Sequence, residues 1–459
     1  MKIKKVLLLV NISTQFRVLL PIAQLLKKSG KYAPFFVLDE SVHNLQKEKL
    51  ICQKHAFNFL SLSAAPGLVL PSAKPPKRII GRLRWFTLVK AWLFLKDINK
   101  TTTHFKRKIK EKKLLLQKEN IELLIITEDG VSYDVPFFVR AANLLNIKSA
   151  VVPFTIANAL EPATSLSKAN GRFDVKGLRK KITGLIYPKW VYDFQGQKML
   201  RVDEEKVFAM ELAKVAPPIP WMYNSGQSSV VIMESEFIKK YHLKEGIPAE
   251  KMNTAGAIYL DILYDIVQHK QAARANAGDK YNSDPDKRWL LCSLPPDFAP
   301  NTEFAAYDEM VKFWIKTMCA SSQAQVFVSL HPRTAKEKVD FIEEMGAIII
   351  DEPIEGFLPL CDVFVACISA TIRMALACKI PVVNYDVFQY KYEDYNQIKS
   401  VKTVFNKVSF QEQVQKMTQD PDYYESIINY YQETEGYYGK MDGKNHERLL
   451  QLFDHLTQH

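Results

Sequence analysis

The sequence predicts an α/β protein built from two Rossmann-like lobes whose parallel sheets face a central cleft. Three observations lead there. Residues 325–386 repeat continuous apolar runs, at 326–330, 347–350, 362–368 and 381–385, separated by helical stretches. Runs without polar alternation belong to strands covered on both faces of a parallel sheet. Residues 5–62 show the same strand–helix alternation. At 459 residues the chain exceeds what one ordinary core holds, so two lobes are expected. Their boundaries are set at 1–275 and 285–459, around a polar stretch, 279–286, that lacks apolar periodicity.

Residues 5–10 are the first strand. The apolar run after Met1 is too short for a signal peptide and has no small-residue cleavage site. Residues 15–29 have helical spacing, with Gly30 as the stop. A strand at 33–38, a helix at 45–55 and a strand at 57–62 complete a βαβαβ opening. Its first turn, 11–17, has no glycine, which argues against a dinucleotide fingerprint and an oxidoreductase. A loop at 66–76 precedes a basic arm, 74–118, read as a long helix broken near Thr101–Thr103. A buried strand at 121–127 ends in Glu128-Asp129-Gly130, followed by a helix at 133–145 and a strand at 148–155. Residues 156–227 are irregular and read as an insertion on the acceptor side. Order returns with a strand at 230–235 and a helix after it. In the second lobe strands at 289–294 and 326–330 precede a helix at 335–345, and a helix at 372–378 lies between the last two apolar runs. Beyond Phe405 the chain reads as helical.

Composition narrows the class. An apolar share of 47% and a charged share of 24% are those of a globular protein. No apolar run reaches the roughly 18 residues of a membrane span. Six cysteines without a CxxC pair read as free thiols in a reducing cytoplasm. The net charge of +12 is concentrated: between Lys74 and Lys118 fifteen Lys and Arg face only Asp97 and Glu111, a balance of +13, which leaves the remainder at −1. The arm is either a solvated helix face or a peripheral contact with an anionic inner membrane surface, through lysines and the Trp85/Trp92 pair. Nucleic acid is not an expected partner, since no binding motif accompanies the charge.

Three polar groups stand at strand carboxyl ends, where such sheets bind ligands. Glu128 and Asp129 precede a glycine in the first lobe; a turn with a helix cap would look the same. His331-Pro332-Arg333 ends one second-lobe strand, and Ser369-Ala370-Thr371 ends another and opens a helix, whose free N–H groups favour a phosphate. No His/Asp/Glu cluster has metal-ligand spacing, so no metal and no resident cofactor are expected.

Together these motifs resemble those of GT-B glycosyltransferases, specifically bacterial sialyltransferases and related enzymes using CMP-activated acidic sugars. Those carry a D/E-D/E-G motif in the first lobe, and an HP motif and a Ser/Thr pair in the second. Here Ala370 separates the two hydroxyls. The resemblance implies transfer of a sialic acid-like or Kdo-like sugar from a CMP donor to a glycan or glycolipid acceptor in surface polysaccharide synthesis. It implies Asp129 as the base that takes the acceptor's proton, with Glu128 as the fallback. It implies that His331 assists the leaving phosphate, with Pro332, Arg333 and Ser369 or Thr371 around the nucleotide. Two alternatives stay open. One is a GT-B enzyme using a UDP- or GDP-sugar, or a UDP-sugar 2-epimerase on the same scaffold. The other is a non-catalytic, membrane-associated scaffold.

Overall fold

The computed structural model describes residues 2–62, 85–154, 158–297, 303–321, 324–331, 334 and 336–458, with backbone alone at 85–90 and 338. Pro332, Arg333, the loop 66–76, residues 74–84 of the arm and the Trp85 side chain lie outside that description. The chain divides into two compact units. Unit 1 comprises Met1–Met233, Lys239–Ala255 and Leu450–His459, and unit 2 comprises Glu234–Ile238 and Gly256–Leu449.

Unit 1 contains strands β1 (Lys4–Val10), β2 (Tyr32–Asp39), β3 (Asn58–Leu62), β4 (Ile121–Ile126) and β5 (Lys148–Val151). A two-stranded antiparallel hairpin, β6 (Val191–Phe194) and β7 (Gln197–Leu200), stands apart. It is followed by β8 (Val230–Ile232) and β9 (Met252–Asn253). The main sheet runs β3-β2-β1-β4-β5-β8-β9, parallel throughout. Val6 to Val10 and Leu123 to Ile126 are buried on both sheet faces, which is why their sequences do not alternate. The order reverses between β1 and β4, so their carboxyl ends form the topological switch point. The helix Ser13–Lys28 is capped by Ser29 and followed by Gly30, whose φ of +70° suits a residue without a Cβ.

Unit 2 repeats the plan. Its strands are β10 (Arg288–Ser293), β11 (Ala324–Ser329), β12 (Ile348–Ile349), β13 (Val363–Ala366), β14 (Val382–Tyr385) and β15 (Val401–Val404). They are parallel in the order β12-β11-β10-β13-β14-β15, with the switch point between β10 and β13. Trp289, Phe327 and Phe357 pack ring against ring in the core, at centroid separations of 4.7 to 5.7 Å. Burying aromatics of this size contributes about 2–3 kcal/mol each.

Several expectations change. The helix Trp85–Lys118 is continuous through Thr101–Thr103. Thr102 turns its hydroxyl back onto the Ile98 carbonyl at 2.7 Å, so its polar group is satisfied within the helix. Among its described residues the stretch 335–345 holds two short helical turns, Lys336–Lys338 and Phe341–Glu344, in place of one helix. The polar stretch 279–286 is not the crossover between lobes; it lies inside unit 2, and the chain passes between units near 233–239 and 255–256. Residues 156–227 form helices Leu160–Ser167, Leu178–Ile186 and Glu204–Leu212 around the β6–β7 hairpin. Trp190, Leu200, Val207 and Met210 share a buried cluster there with Phe105 and Ile109 of the long helix. All six cysteines are unpaired.

Candidate functional site

In unit 1 the switch point places Asn11, Gln15 and Glu128 together. Asn11 follows β1 and Gln15 lies in the first turn of the next helix. Gln15, fully buried, accepts from the Asn11 backbone N–H at 2.7 Å through Oε1 and donates through Nε2 to Glu128 Oε1 at 3.1 Å. Glu128 is 2% exposed, and its Oε2 accepts no hydrogen bond. Burial pushes its carboxyl up to about 7. The Ser132 hydroxyl and the Arg201 guanidinium pull the other way, while Asp129 adds to the rise.

Asp129 is built differently. Its carboxylate accepts the backbone N–H of Ser225, the Ser225 hydroxyl at 3.0 Å and the Ser228 N–H at 2.7 Å. Its own N–H donates to the Tyr223 carbonyl at 2.9 Å. Both oxygens are thus committed to holding the 223–228 loop. Burial raises this carboxyl, against the opposing pull of the Ser228 and Ser225 donors. Gly130 belongs to the same device: a Cβ there would stand 2.7 Å from the Met222 carbonyl oxygen. The close approach that Gly130 permits is made by the protein's own backbone. Tyr133, three residues on, has a φ of +51°, uncommon for a residue with a Cβ and a local strain beside the site.

Arg201 comes from the 156–227 region, just after β7. Its guanidinium lies 5.8 Å from the Trp221 ring centroid, and its Nε is buried without a hydrogen-bond partner. Burial lowers its affinity for the proton, while Tyr223, Glu128 and Glu161 support the charge. Sequence reasoning missed Gln15, Tyr133 and Arg201. The polar Asn11–Gln15 turn at a strand's carboxyl end was a usable signal; nothing local marks Arg201.

In unit 2, His331 follows β11 and its carbonyl accepts the Thr334 N–H at 2.8 Å. Ser369 and Thr371 follow β13. In the sheet β10 lies between β11 and β13, so the two motifs end on strands about 10 Å apart. Ser369 Oγ and Thr371 Oγ1 are hydrogen-bonded to each other at 2.6 Å, so Ala370 does not keep the hydroxyls apart. Ile368, at φ +44°, makes the turn; its N–H is held by Asn384 Oδ1 at 2.8 Å. A β-branched residue in that region is strained, and Asn384 is what holds it there. Arg373 Nε donates to the Ala370 carbonyl at 3.2 Å while its guanidinium pairs with Glu234 at 2.7 Å, both side chains about 10% exposed. The helix after this turn, Ile372–Ala377, has only six residues, so the two hydroxyls and the strained turn define this edge more than a helix dipole does. In the aromatic run after β14, Phe388, Tyr390 and Tyr392 stack in sequence, while Asp386 accepts the N–H groups of Tyr390 and Lys391. Among the described residues no three His, Cys, Asp or Glu side chains gather as a metal site.

No protein-family model matches the chain, and no curated protein matches it. Solved structures do. The glycotransferase of kitacinnamycin matches at a TM-score of 0.54 and 10% identity, over 100% of both chains. A putative UDP-N-acetylglucosamine 2-epimerase from Listeria monocytogenes matches at 0.53 and 11%, over 100% of this chain and 98% of that one. The Neisseria meningitidis UDP-GlcNAc 2-epimerase bound to UDP-GlcNAc matches at 0.52 and 14%, over 98% and 100%. The fold is the GT-B fold. GT-B glycosyltransferases and epimerases share these two Rossmann-like lobes, and at such low identity the likeness establishes the scaffold alone.

Proposed function

We propose that this GT-B protein is a nucleotide-sugar enzyme in which Glu128 moves the proton. The observation that carries the reading is the Glu128 carboxyl: buried at the switch point of the first sheet, lifted to about 7, with one oxygen uncommitted. A general base works best with a pKa near the working pH. In glycosyl transfer the acceptor hydroxyl gives its proton to Glu128 as its oxygen bonds to the anomeric carbon. The bond from that carbon to the nucleotide's phosphate oxygen breaks, and its electron pair leaves with the phosphate. Asp129, with both oxygens occupied, holds the loop beside Glu128 and is the weaker candidate for the base. In unit 2 the Ser369 and Thr371 hydroxyls bind phosphate, and His331 supplies a hydrogen bond to the leaving group.

The ligands named in the neighbouring structures are UDP-GlcNAc and UDP. A UDP-sugar is therefore the first donor to test, and neither a CMP donor nor an acidic sugar gains support from these likenesses. Epimerisation on the same scaffold is the second reading, favoured by the epimerases among the neighbours. It needs a group to remove the C2 proton and another to return one on the opposite face. Of the Glu128–Asp129 pair only Glu128 keeps an oxygen that accepts no hydrogen bond, which suits transfer better. The test is a panel of UDP-GlcNAc, UDP-glucose, GDP-mannose, CMP-sialic acid and CMP-Kdo in deuterated water, followed by NMR. Deuterium at C2 of UDP-GlcNAc marks epimerisation, and nucleotide release that rises with a glycan acceptor marks transfer. No nucleotide binding and no turnover with any donor would leave the scaffold reading in its place.

A further inference from the structure

The helix Leu178–Ile186 is amphipathic in the wrong direction for a core element. Leu178, Ile182, Leu185 and Ile186 recur at the spacing of one helix face, and all four are exposed, Leu178 by 73% and Leu185 by 83%. The face turned to the protein is small: Thr183 is its only buried residue, and a Cβ on Gly184 would come within 2.9 Å of Val191 in the β6–β7 hairpin. The first turns of the helix Trp85–Lys118 repeat this, with Trp92, Leu93 and Leu95 exposed and Lys96 Nζ 5.3 Å from the Trp92 ring centroid. The two helices meet. Arg179 lies 4.9 Å over the Phe94 ring, and Phe94 and Tyr187 both pack edge-on to Phe208.

We propose that these two helices form one docking face of unit 1 for an anionic lipid bilayer. Positive charge accompanies the apolar residues: Lys96, Lys100 and Lys181 are exposed. Lys108 and Lys112, further along, are not available to lipid, since both are paired with Asp134 and about 11% exposed. The contact thus uses residues 92–100 of the long helix and a second helix outside the arm. Apolar side chains among lysines and a tryptophan are what an interfacial helix presents to headgroups and acyl chains. A second copy would set like charge against like, and a nucleic acid would leave the leucines and isoleucines in water. The proposal does not depend on which reaction the site performs.

The full-length protein is sedimented with vesicles of phosphatidylcholine alone and with one third phosphatidylglycerol. Binding should need the anionic lipid and fall with added salt. The double substitution Leu185→Glu, Ile186→Glu should weaken it by about tenfold or more, from the apolar burial lost. Lys181→Ala should weaken it by about fivefold, at the usual worth of a basic residue near the surface. Leu243→Glu, an exposed leucine on the helix Glu236–Lys244, should change nothing. Circular dichroism checks that each variant is folded. Wild-type protein that ignores anionic vesicles, or binds both compositions alike, overturns the proposal. So does a double variant that binds as wild type does. Self-association in sedimentation velocity that the double variant abolishes, without vesicle binding, would assign the face to a second copy instead.

Discussion

In the proposed reading Glu128 and Asp129, neighbours in sequence, have opposite duties, and each can be tested alone. Glu128→Gln should lower turnover by about 10²–10⁴-fold, the usual worth of a positioned proton-transfer group, with the fold intact. For the wild-type protein in that reading kcat/KM should rise with pH and level off above about 7, since the base must be ionised; that limb should vanish in the variant. Stability gives an independent check. The folded carboxyl titrates near 7 and the unfolded one near 4.5, so the native state holds the extra proton between those values. Stability is then highest below about 4.5 and declines as pH rises toward 7. Glu128→Gln, which cannot ionise, should melt later than wild type at pH 8, by up to roughly 3 kcal/mol, and alike at pH 4. Asp129→Asn should do the reverse: an amide cannot accept on both sides, so at least one of the Ser225 and Ser228 N–H groups loses its partner, at about 1–3 kcal/mol. Arg201→Met removes a cation that favours the Glu128 anion, so the rising limb of the pH profile should move to higher pH. The Glu-Asp-Gly motif was legible as a unit. Which carboxylate is uncommitted was not, because a loop almost 100 residues away, at 223–228, decides it.

At the scale of elements, strands read best and their partners worst. The buried runs that became β1, β4, β10 and β13 announce themselves by continuous apolar sequence. β15 does not: Val401-Lys-Thr-Val is four residues long with a half-buried middle, and only β14 gives it a register. The basic arm was legible as a charged helix, but not the fate of its charges. Lys108 and Lys112 converge on Asp134 at 2.5 and 2.6 Å. Burial alone would raise that carboxyl; Lys112 and Lys108 outweigh it and hold it below the usual carboxylate range. Its stabilisation should therefore persist as pH falls through the ordinary carboxylate range and be lost only below it. Asp134→Asn should cost about 3 kcal/mol by leaving two largely buried ammonium groups unpaired, read as a fall in the denaturant midpoint. The turn 367–371 invites the same kind of test. Asn384→Ala frees the Ile368 N–H and lets the strained turn relax. It should weaken nucleotide binding in calorimetry about as much as Ser369→Ala with Thr371→Ala, although in this reading Asn384 touches no nucleotide.

For the molecule as a whole, two lobes were readable from length and repeated pattern, but their limits were not. A boundary in a polar stretch is a sound guess when chains cross once. This chain crosses several times, because residues 239–255 and 450–459 belong to unit 1. The last segment matters to the first strands: Asp454 accepts from the Tyr32 hydroxyl and Lys31 at 2.6 Å, Lys4 donates to the Thr457 carbonyl at 2.9 Å, and Phe453 is fully buried. A chain stopped after Leu449 should lose several kcal/mol from unit 1 while unit 2 keeps its melting transition, as scanning calorimetry would show. Added UDP, if it binds unit 2, should raise that transition in both proteins, by about 2.7 kcal/mol at a hundredfold excess over Kd.

That segment also sets a schedule on the ribosome. The partners of Lys4, Lys31 and Tyr32 are made more than 400 residues after them, after all of unit 2. Synthesis at 5–20 residues per second puts on the order of half a minute between them. During that interval the first-made lobe waits unfinished, and unit 2 is the one able to complete itself first. A nascent chain arrested before residue 450 should expose unit 1 to protease while unit 2 resists, the opposite of the order in which the two are translated.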